Sequence, residues 1–306
     1  MFTLAHFTDP HIGPIPEPGW LELMGKRLSG YLSWTGNRHN IHNMDILKTL
    51  IADIKTQNPD HVALTGDIIN ISLKAEYKNA ANWLENTMAP NMMSIVPGNH
   101  DAYVKVSWRK GLGLWAPYMS SDPQATPYIT KIKKPFPFLR FRGQVAIIGL
   151  SSAETTPPFV AGGHVGKRQL KHLDQLLETL GKEGFFRVIL IHHPPLPGKN
   201  SRRKGLWDAA DISGIFVKHG PELVLHGHNH KHMLTMLETC RGPIPVVGAP
   251  SASAKARGRH PAAGYSLFHI SKSGKKWKCA VQTRNLKPDF SGFEDTDAIF
   301  PPHTYG

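Results

Sequence analysis

The feature that most constrains this chain is a recurring junction: a short run of core-type residues that stops at side chains able to bind a metal. The junctions are Asp9-Pro10-His11, Gly66-Asp67, Gly98-Asn99-His100-Asp101, His192-His193 and Gly227-His228-Asn229-His230. The runs before them, at 3–8, 61–65, 92–96, 187–191 and 223–226, read as strands, most of them with the continuous apolar character of buried ones. Helices separate them. Residues 45–55 put Ile46, Leu47, Leu50, Ile51 and Ile54 on one helical face, 74–88 reads as a second helix, and 169–180 aligns Leu170, Leu173, Leu176, Leu177 and Leu180. Strands alternating with helices predict a largely parallel sheet, whose carboxyl ends gather at one edge.

One histidine or D-x-H triplet after a strand is usually a solvated loop. Joint occurrence carries the argument, and the glycines beside three of the junctions let backbone pass close to a site. Carboxylate, imidazole and amide oxygen without thiolate suit Mn, Fe, Co, Ni or Zn in a catalytic setting. Seven donors drawn from these junctions would be too many for one tetrahedral ion. They fit two ions sharing a carboxylate, an arrangement that clamps the attacking and departing oxygens of phosphoryl transfer.

In this order the clusters resemble the calcineurin-like metallophosphoesterases, whose pattern is D-x-H, G-D, G-N-H-D/E, H and G-H-x-H; the match covers roughly 1–236. The resemblance implies an α/β fold, a four-layer α-β-β-α sandwich of two mixed sheets, and two divalent metal ions (Mn, Fe, Zn or Co). Asp9, His11 and His230 would hold one metal, Asn99, His192 and His228 the other, and Asp67 both. His192 is favoured over its neighbour as the ligand, leaving His193 as a supporting or substrate contact. A hydroxide bridging the metals would attack in line. His100 would stabilise the phosphate and protonate the departing oxygen, with Asp101 orienting its imidazole. His192-His193-Pro194-Pro195-Leu196-Pro197 and Gly227-His228-Asn229-His230 look most like the bacterial phosphodiesterase branch, so a diester is the leading substrate class.

The remainder is expected to form one domain over 1–287 with an insertion at 14–43. Segments 128–132, 136–141 and 145–149 read as short strands of an antiparallel portion, and strands return at 233–238, 246–248, 265–270 and 277–283. Residues 288–306 read as an irregular tail. The insertion carries Trp20, Leu21, Leu23, Met24, Leu28, Tyr31, Leu32 and Trp34 at approximate helical spacing with Lys26 and Arg27. It is either a basic amphipathic cap touching lipid or substrate, or a helix packed on its own domain. The tract Asn37-Arg38-His39-Asn40-Ile41-His42-Asn43 follows, dense in donors that could bind phosphate or a sugar; Asn43 is placed to cap a helix, and His39 or His42 to meet substrate. Arg202 and Arg203, in the basic loop 199–204, could clamp an anion, and Lys255, Arg257, Arg259 and His260 form a second basic segment.

Lysine and arginine number 36 against 23 acids, a formal charge of +13, which favours anionic partners. The expected partner is a small phosphoester, with peripheral contact to an anionic membrane as a further possibility. No specific nucleic-acid module is visible. The start lacks the form of a secretory signal and no apolar run is long enough to span a bilayer, so a cytoplasmic location, with membrane association as the variant, is expected. Cys240 and Cys279 share no motif and read as two buried thiols. Two other readings follow from the same residues: a pyrophosphatase acting on UDP-sugar or lipid-linked substrates at the membrane surface, and a non-catalytic metal-binding scaffold.

Overall fold

A computed structural model describes residues 1–129, 135–258, 261–274, 276–297 and 300–305. In the first sheet β1 (Phe2–Phe7), β2 (His61–Leu64) and β3 (Met93–Ile95) run parallel. On its other side β1 pairs antiparallel with β10 (Gly264–Ser273), which pairs with β11 (Lys276–Leu286). The second sheet runs β4-β5-β6-β7-β9-β8. Here β5 (Val145–Gly149), β6 (Phe186–Leu190), β7 (Leu223–His226) and β9 (Ile244–Gly248) are parallel. The edges β4 (Phe138–Arg142) and β8 (Met233–Leu237) are antiparallel. Both sheets are therefore mixed, as expected.

One continuous core joins the sheets to the helices. It takes Ile46, Leu47, Leu50, Ile51 and Ile54 from α2 (Met44–Thr56) and Tyr77, Ala80 and Leu84 from α3 (Lys74–Thr87). The five expected leucines of α5 (Lys167–Lys182) join them, with Ile212 and Phe216 of α6 (Ala209–His219), a helix the sequence reading did not mark. The Asn43 side chain caps α2 by accepting from the amides of Asp45 and Ile46, satisfying two donors that the first turn cannot use itself.

Three expectations change. Segment 288–306 is not irregular throughout: β12 (Phe293–Thr296) and β13 (His303–Tyr305) both pair with β11, burying Phe293, Phe300 and Tyr305. Tyr128 and Ile129 belong to the short helix α4 (Thr126–Ile129), not to a strand, because Pro123 and the 3-10 turn at Pro123–Ala125 lead straight into it; residues 130–132 of that expected strand lie outside the described residues. Cys240 is exposed at the turn after β8, and only Cys279 is buried.

The insertion folds into α1 (Lys26–Gly36) and a 3-10 turn at Arg38–Asn40. Trp34 is its anchor. It is buried with Ile15, Ile71 and Leu73 in a small cluster apart from the main core, with Leu23, Tyr31 and Tyr103 packed around it. Packing on the domain is thus real, yet one side stays open: Trp20, Leu21, Met24, Leu28 and Leu32 are exposed.

Candidate metal centre

Parallel strands bring the junctions together, and backbone hydrogen bonds stitch them. Asp9 N donates to Gly66 O (3.0 Å), His11 N to Asp67 O (3.1 Å), Ala252 N to Thr8 O (2.8 Å) and Gly227 N to His192 O (3.0 Å). The third of these, with a bridge from Thr8 to Ser251, ties the end of β1 to the loop after β9 and so closes one sheet on the other. All seven predicted ligands converge there.

They divide into two groups around Asp67. On one side His230 Nε2 lies 3.1 Å from Asp9 Oδ1 and 3.4 Å from His11 Nε2, which is 3.9 Å from Asp67 Oδ2. On the other, Asn99 Oδ1 lies 3.2 Å from His192 Nε2 and 2.9 Å from His228 Nδ1, while His192 Nε2 is 3.4 Å from Asp67 Oδ2. The remote nitrogens are pinned: His192 Nδ1 donates to Thr65 O at 2.7 Å and His11 Nδ1 lies 3.4 Å from Ile69 O, leaving each Nε2 to face inward. His228 N donates to Asp9 Oδ2 at 3.0 Å, so one carboxylate braces both groups.

The electrostatics suit cations. Burial would raise Asp67, but the imidazoles of His192 and His100 outweigh it and hold the carboxylate well below its usual range. Asp9 is lowered likewise, chiefly by His230 against the same burial penalty. His11 is kept neutral by burial and then by Arg38, and His228, lowered to about 3, by burial and then by His192. A metal ligand needs neutral imidazole and ionised carboxylate; His192 departs from this, because the Asp67 carboxylate outweighs burial and raises it to about 9, so it must shed a proton before Nε2 can bind a metal. Backbone strain concentrates at the same place: Asp9 (φ 51°), His11 (42°), Asp67 (53°), His228 (72°) and His230 (51°) all sit in the left-handed region. Such conformations persist where surrounding structure fixes them, commonly at functional sites. Donor set, ionised carboxylates and strain together fit divalent metal ions held by these residues.

The remaining predicted residues fare differently. His100 lines the cleft, with Nδ1 2.5 Å from Asn70 O; burial and Arg38 lower it to about 4. Asp101 does not orient that ring. Its carboxylate is buried and accepts from the amides of Ile68 (2.8 Å), Ile69 (3.0 Å) and Gly98 (2.8 Å), locking two junction loops together, and burial raises it to about 7. The orienting acceptor is the Asn70 carbonyl. His193 is no substrate contact either: its Nδ1 lies 2.8 Å from Ser152 Oγ and its Nε2 3.1 Å from Ala161 O, so both nitrogens are spent. His39 is exposed and closes the end of α1 on Trp34 O (2.9 Å).

His42, by contrast, is buried against the candidate ligand His11, its ring 4.5 Å from that of His11 and its Nδ1 2.8 Å from Ser253 Oγ. Arg202 and Arg203 line a neighbouring cavity of about 1010 Å³ with Trp207, Pro157 and Val160. The cleft itself, about 270 Å³, is lined by Arg38, Asp67, Asn99, His100, Ala161, Lys204, His228, Asn229 and His230. Arg38 and Lys204 are its cations, and neither was singled out from the sequence; Arg38 sits in the donor-rich tract, but nothing in that tract says which residue turns inward. Of the second basic segment, Lys255 and Arg257 run beside the insertion, whereas Arg259 and His260 lie outside the described residues.

Comparison with known proteins agrees with this geometry. The family model for calcineurin-like phosphoesterases matches residues 2–232. The chain belongs to that family and is a phosphoric ester hydrolase. It is similar to a glycerophosphodiester phosphodiesterase, GpdQ, of Enterobacter lignolyticus, at 26% identity over 80% of this chain and 76% of that one. A probable cyclic nucleotide phosphodiesterase of Synechococcus is 23% identical over 82% and 83%. Among solved structures, a dimetal phosphatase from Danio rerio superposes with a TM-score of 0.58 at 12% identity, covering 96% of this chain and 98% of that one. A purple acid phosphatase from yellow lupin seeds does so at 0.54 and 13%, covering 99% of this chain and 53% of its own. These likenesses establish the fold.

Proposed function

We propose that the protein hydrolyses a phosphodiester at a centre of two divalent ions, one held by Asp9, His11 and His230, the other by Asn99, His192 and His228, with Asp67 between them. The observation that carries this reading is the division of seven donors into two groups about one shared carboxylate. Bound ions, with manganese, iron, zinc and cobalt all suited to this donor set, would supply an activated water in line with the departing oxygen and neutralise phosphoryl charge. The protein supplies the rest. His100 Nδ1–H donates to Asn70 O, which leaves Nε2 for the cleft. A phosphoryl anion beside it favours protonation of Nε2, which then gives its proton to the leaving alcohol. The diester preference draws support from the two bacterial relatives, both named as phosphodiesterases.

Turnover of bis(p-nitrophenyl) phosphate against p-nitrophenyl phosphate, with each metal added in turn, tests the reading. The diester is expected to react faster, and His100→Ala is expected to lower kcat about 100-fold or more with metal content unchanged. Metal-independent or absent turnover, or metals lost from His100→Ala, would sink it.

One observation favours a second reading, a pyrophosphatase acting on a UDP-sugar or lipid-linked substrate at the membrane surface. The exposed ridge of Trp20, Leu21, Met24, Leu28 and Leu32 lies on the element that carries Arg38 into the cleft. Lys26 of that element bonds Thr156 Oγ1 (2.8 Å) and Val160 O (3.3 Å), beside the exposed Phe159 and the cavity of Arg202, Arg203 and Trp207. Apolar and cationic groups so mixed suit an anionic bilayer. No helix among the described residues is long and apolar enough to cross a membrane. Cleavage of a UDP-linked acylated sugar together with binding to anionic vesicles supports this reading; equal turnover of small diesters without vesicle binding removes it.

A further inference from the structure

Arg38 lines the cleft, and among the described residues its guanidinium contacts only imidazole rings. Nη2 lies 3.2 Å from Nε2 and 3.3 Å from Nδ1 of His11; Nη1 lies 3.2 Å from Nε2 and 3.5 Å from Nδ1 of His100. Near-equal distances to both nitrogens of a five-membered ring put each guanidinium nitrogen over the ring's face. A ring lone pair accepts only in the ring plane, so these are stacking contacts rather than hydrogen bonds. Among the described residues no carboxylate or carbonyl accepts from Arg38. The other inward arginines behave otherwise: Arg27 bonds Ser72 O (2.6 Å), Arg140 bonds Met93 O (2.8 Å), Arg187 bonds Glu222 (2.7 Å) and Arg284 bonds Asp53 (2.9 Å). Desolvating a guanidinium without giving it an acceptor is costly, and its planar fork matches two oxygens of a phosphoryl group.

The fold holds Arg38 there from both sides. Trp34, packed against Gly13, stacks on His42 at 6.1 Å and 4° between planes. Beyond the turn, Asn43 N donates to Ser253 O (2.8 Å), Lys255 N to Ile41 O (2.9 Å), and Arg257 contacts the Asn37 amide. The turn is thus anchored to the loop after β9, whose Ser251 Oγ donates to Asp9 O at 2.6 Å.

We propose that Arg38 is a phosphate-binding residue, its N–H fork taking two non-bridging oxygens of the phosphoryl group between His11 and His100. The insertion at 14–43 then supplies part of the phosphate site and is more than a cover. This rests on the metal-dependent phosphodiesterase reading for the identity of the group bound, and the test separates the two.

Inorganic phosphate binding to the metal-loaded full chain is measured by calorimetry for the wild type, Arg38→Met and Arg38→Lys, with metal content, circular dichroism, and kcat and KM on bis(p-nitrophenyl) phosphate. Arg38→Met is expected to weaken phosphate binding tenfold or more and to raise KM, with metals and fold unchanged. Arg38→Lys, a point charge without the fork, is expected to recover only part of the affinity. Equal phosphate affinity in wild type and Arg38→Met overturns the proposal, as does a wild type that binds no phosphate. Loss of metals from Arg38→Met overturns it too, since Arg38 would then position ligands instead of substrate. Arg38-dependent phosphate binding in a wild type that turns over no diester leaves the clamp standing and refutes the diesterase.

Discussion

Gly98 has almost no latitude. A methyl group there would meet the Asp67 carboxylate, the Asp67 amide at 2.6 Å and His192 Cε1 at 2.7 Å. What would have to yield is two of the proposed ligands, while the strand behind them keeps its place. Gly98→Ala is therefore expected to lower metal content to less than half of wild type with an unchanged far-ultraviolet spectrum; full metal occupancy would refute the packing argument. Gly66 is confined as tightly: its φ is +96°, and a methyl group there would lie 2.6 Å from Gly98 N. Asp101 teaches the opposite lesson. Its position after Asn-His suggested a partner for the imidazole, yet three backbone amides claim the carboxylate. Sequence order puts Asp101 beside His100, but which way each side chain points is decided by the loop after β2, thirty or more residues away. Lys204 and Arg38 lie in tracts legible as anion-binding, but the sequence does not say that these two side chains are the ones that line the cleft.

At the scale of elements, α1 and the turn after it are fastened by the small cluster around Trp34, separate from the main core. Trp34→Ala removes a large buried ring, a change that in a main core costs about 3–5 kcal/mol. Here much of that loss is expected to appear as local opening. Limited proteolysis should cut within 14–43 far sooner than in wild type, KM should rise, and the main thermal transition should move by only a few degrees. Cooperative loss of the whole fold would show instead that the insertion is integral to the core. The strands that carry the candidate ligands were legible because each is a local pattern, an apolar run ended by glycine or a polar side chain. β12 and β13 were not: Phe293 and Tyr305 acquire strand character only by pairing with β11. The leucine stripe of α5 could be read; α6, with Ile212 and Phe216 as its main buried apolar side chains, gave too sparse a stripe.

For the molecule as a whole, buried neutral histidines set the acid limit. His61, well away from the cleft, is pulled well below 6.5 by burial and then by Arg142 and Arg140; its Nδ1 accepts from Arg142 at 3.2 Å, and its Nε2 donates to Ser94 Oγ at 2.8 Å. His6 is lowered to about 3 by burial and by His226. Their folded pKa values lie below the unfolded one, so the unfolded chain binds more protons in acid. The stability they confer is complete above about pH 6.5 and falls away as pH drops towards the folded values, approaching about 1.4 kcal/mol per pH unit for each histidine. His61→Gln is expected to flatten the loss between pH 6.5 and 5 in urea unfolding; an unchanged slope would exonerate His61. The left-handed backbone at Asp9, His11, Asp67, His228 and His230 carries a different consequence. Glycine would occupy each of these positions more comfortably, so function and durability pull against one another at the same five residues. A lineage selected only for heat resistance of the metal-free chain would discard those side chains first, and would end as a sturdier sandwich with nothing to catalyse.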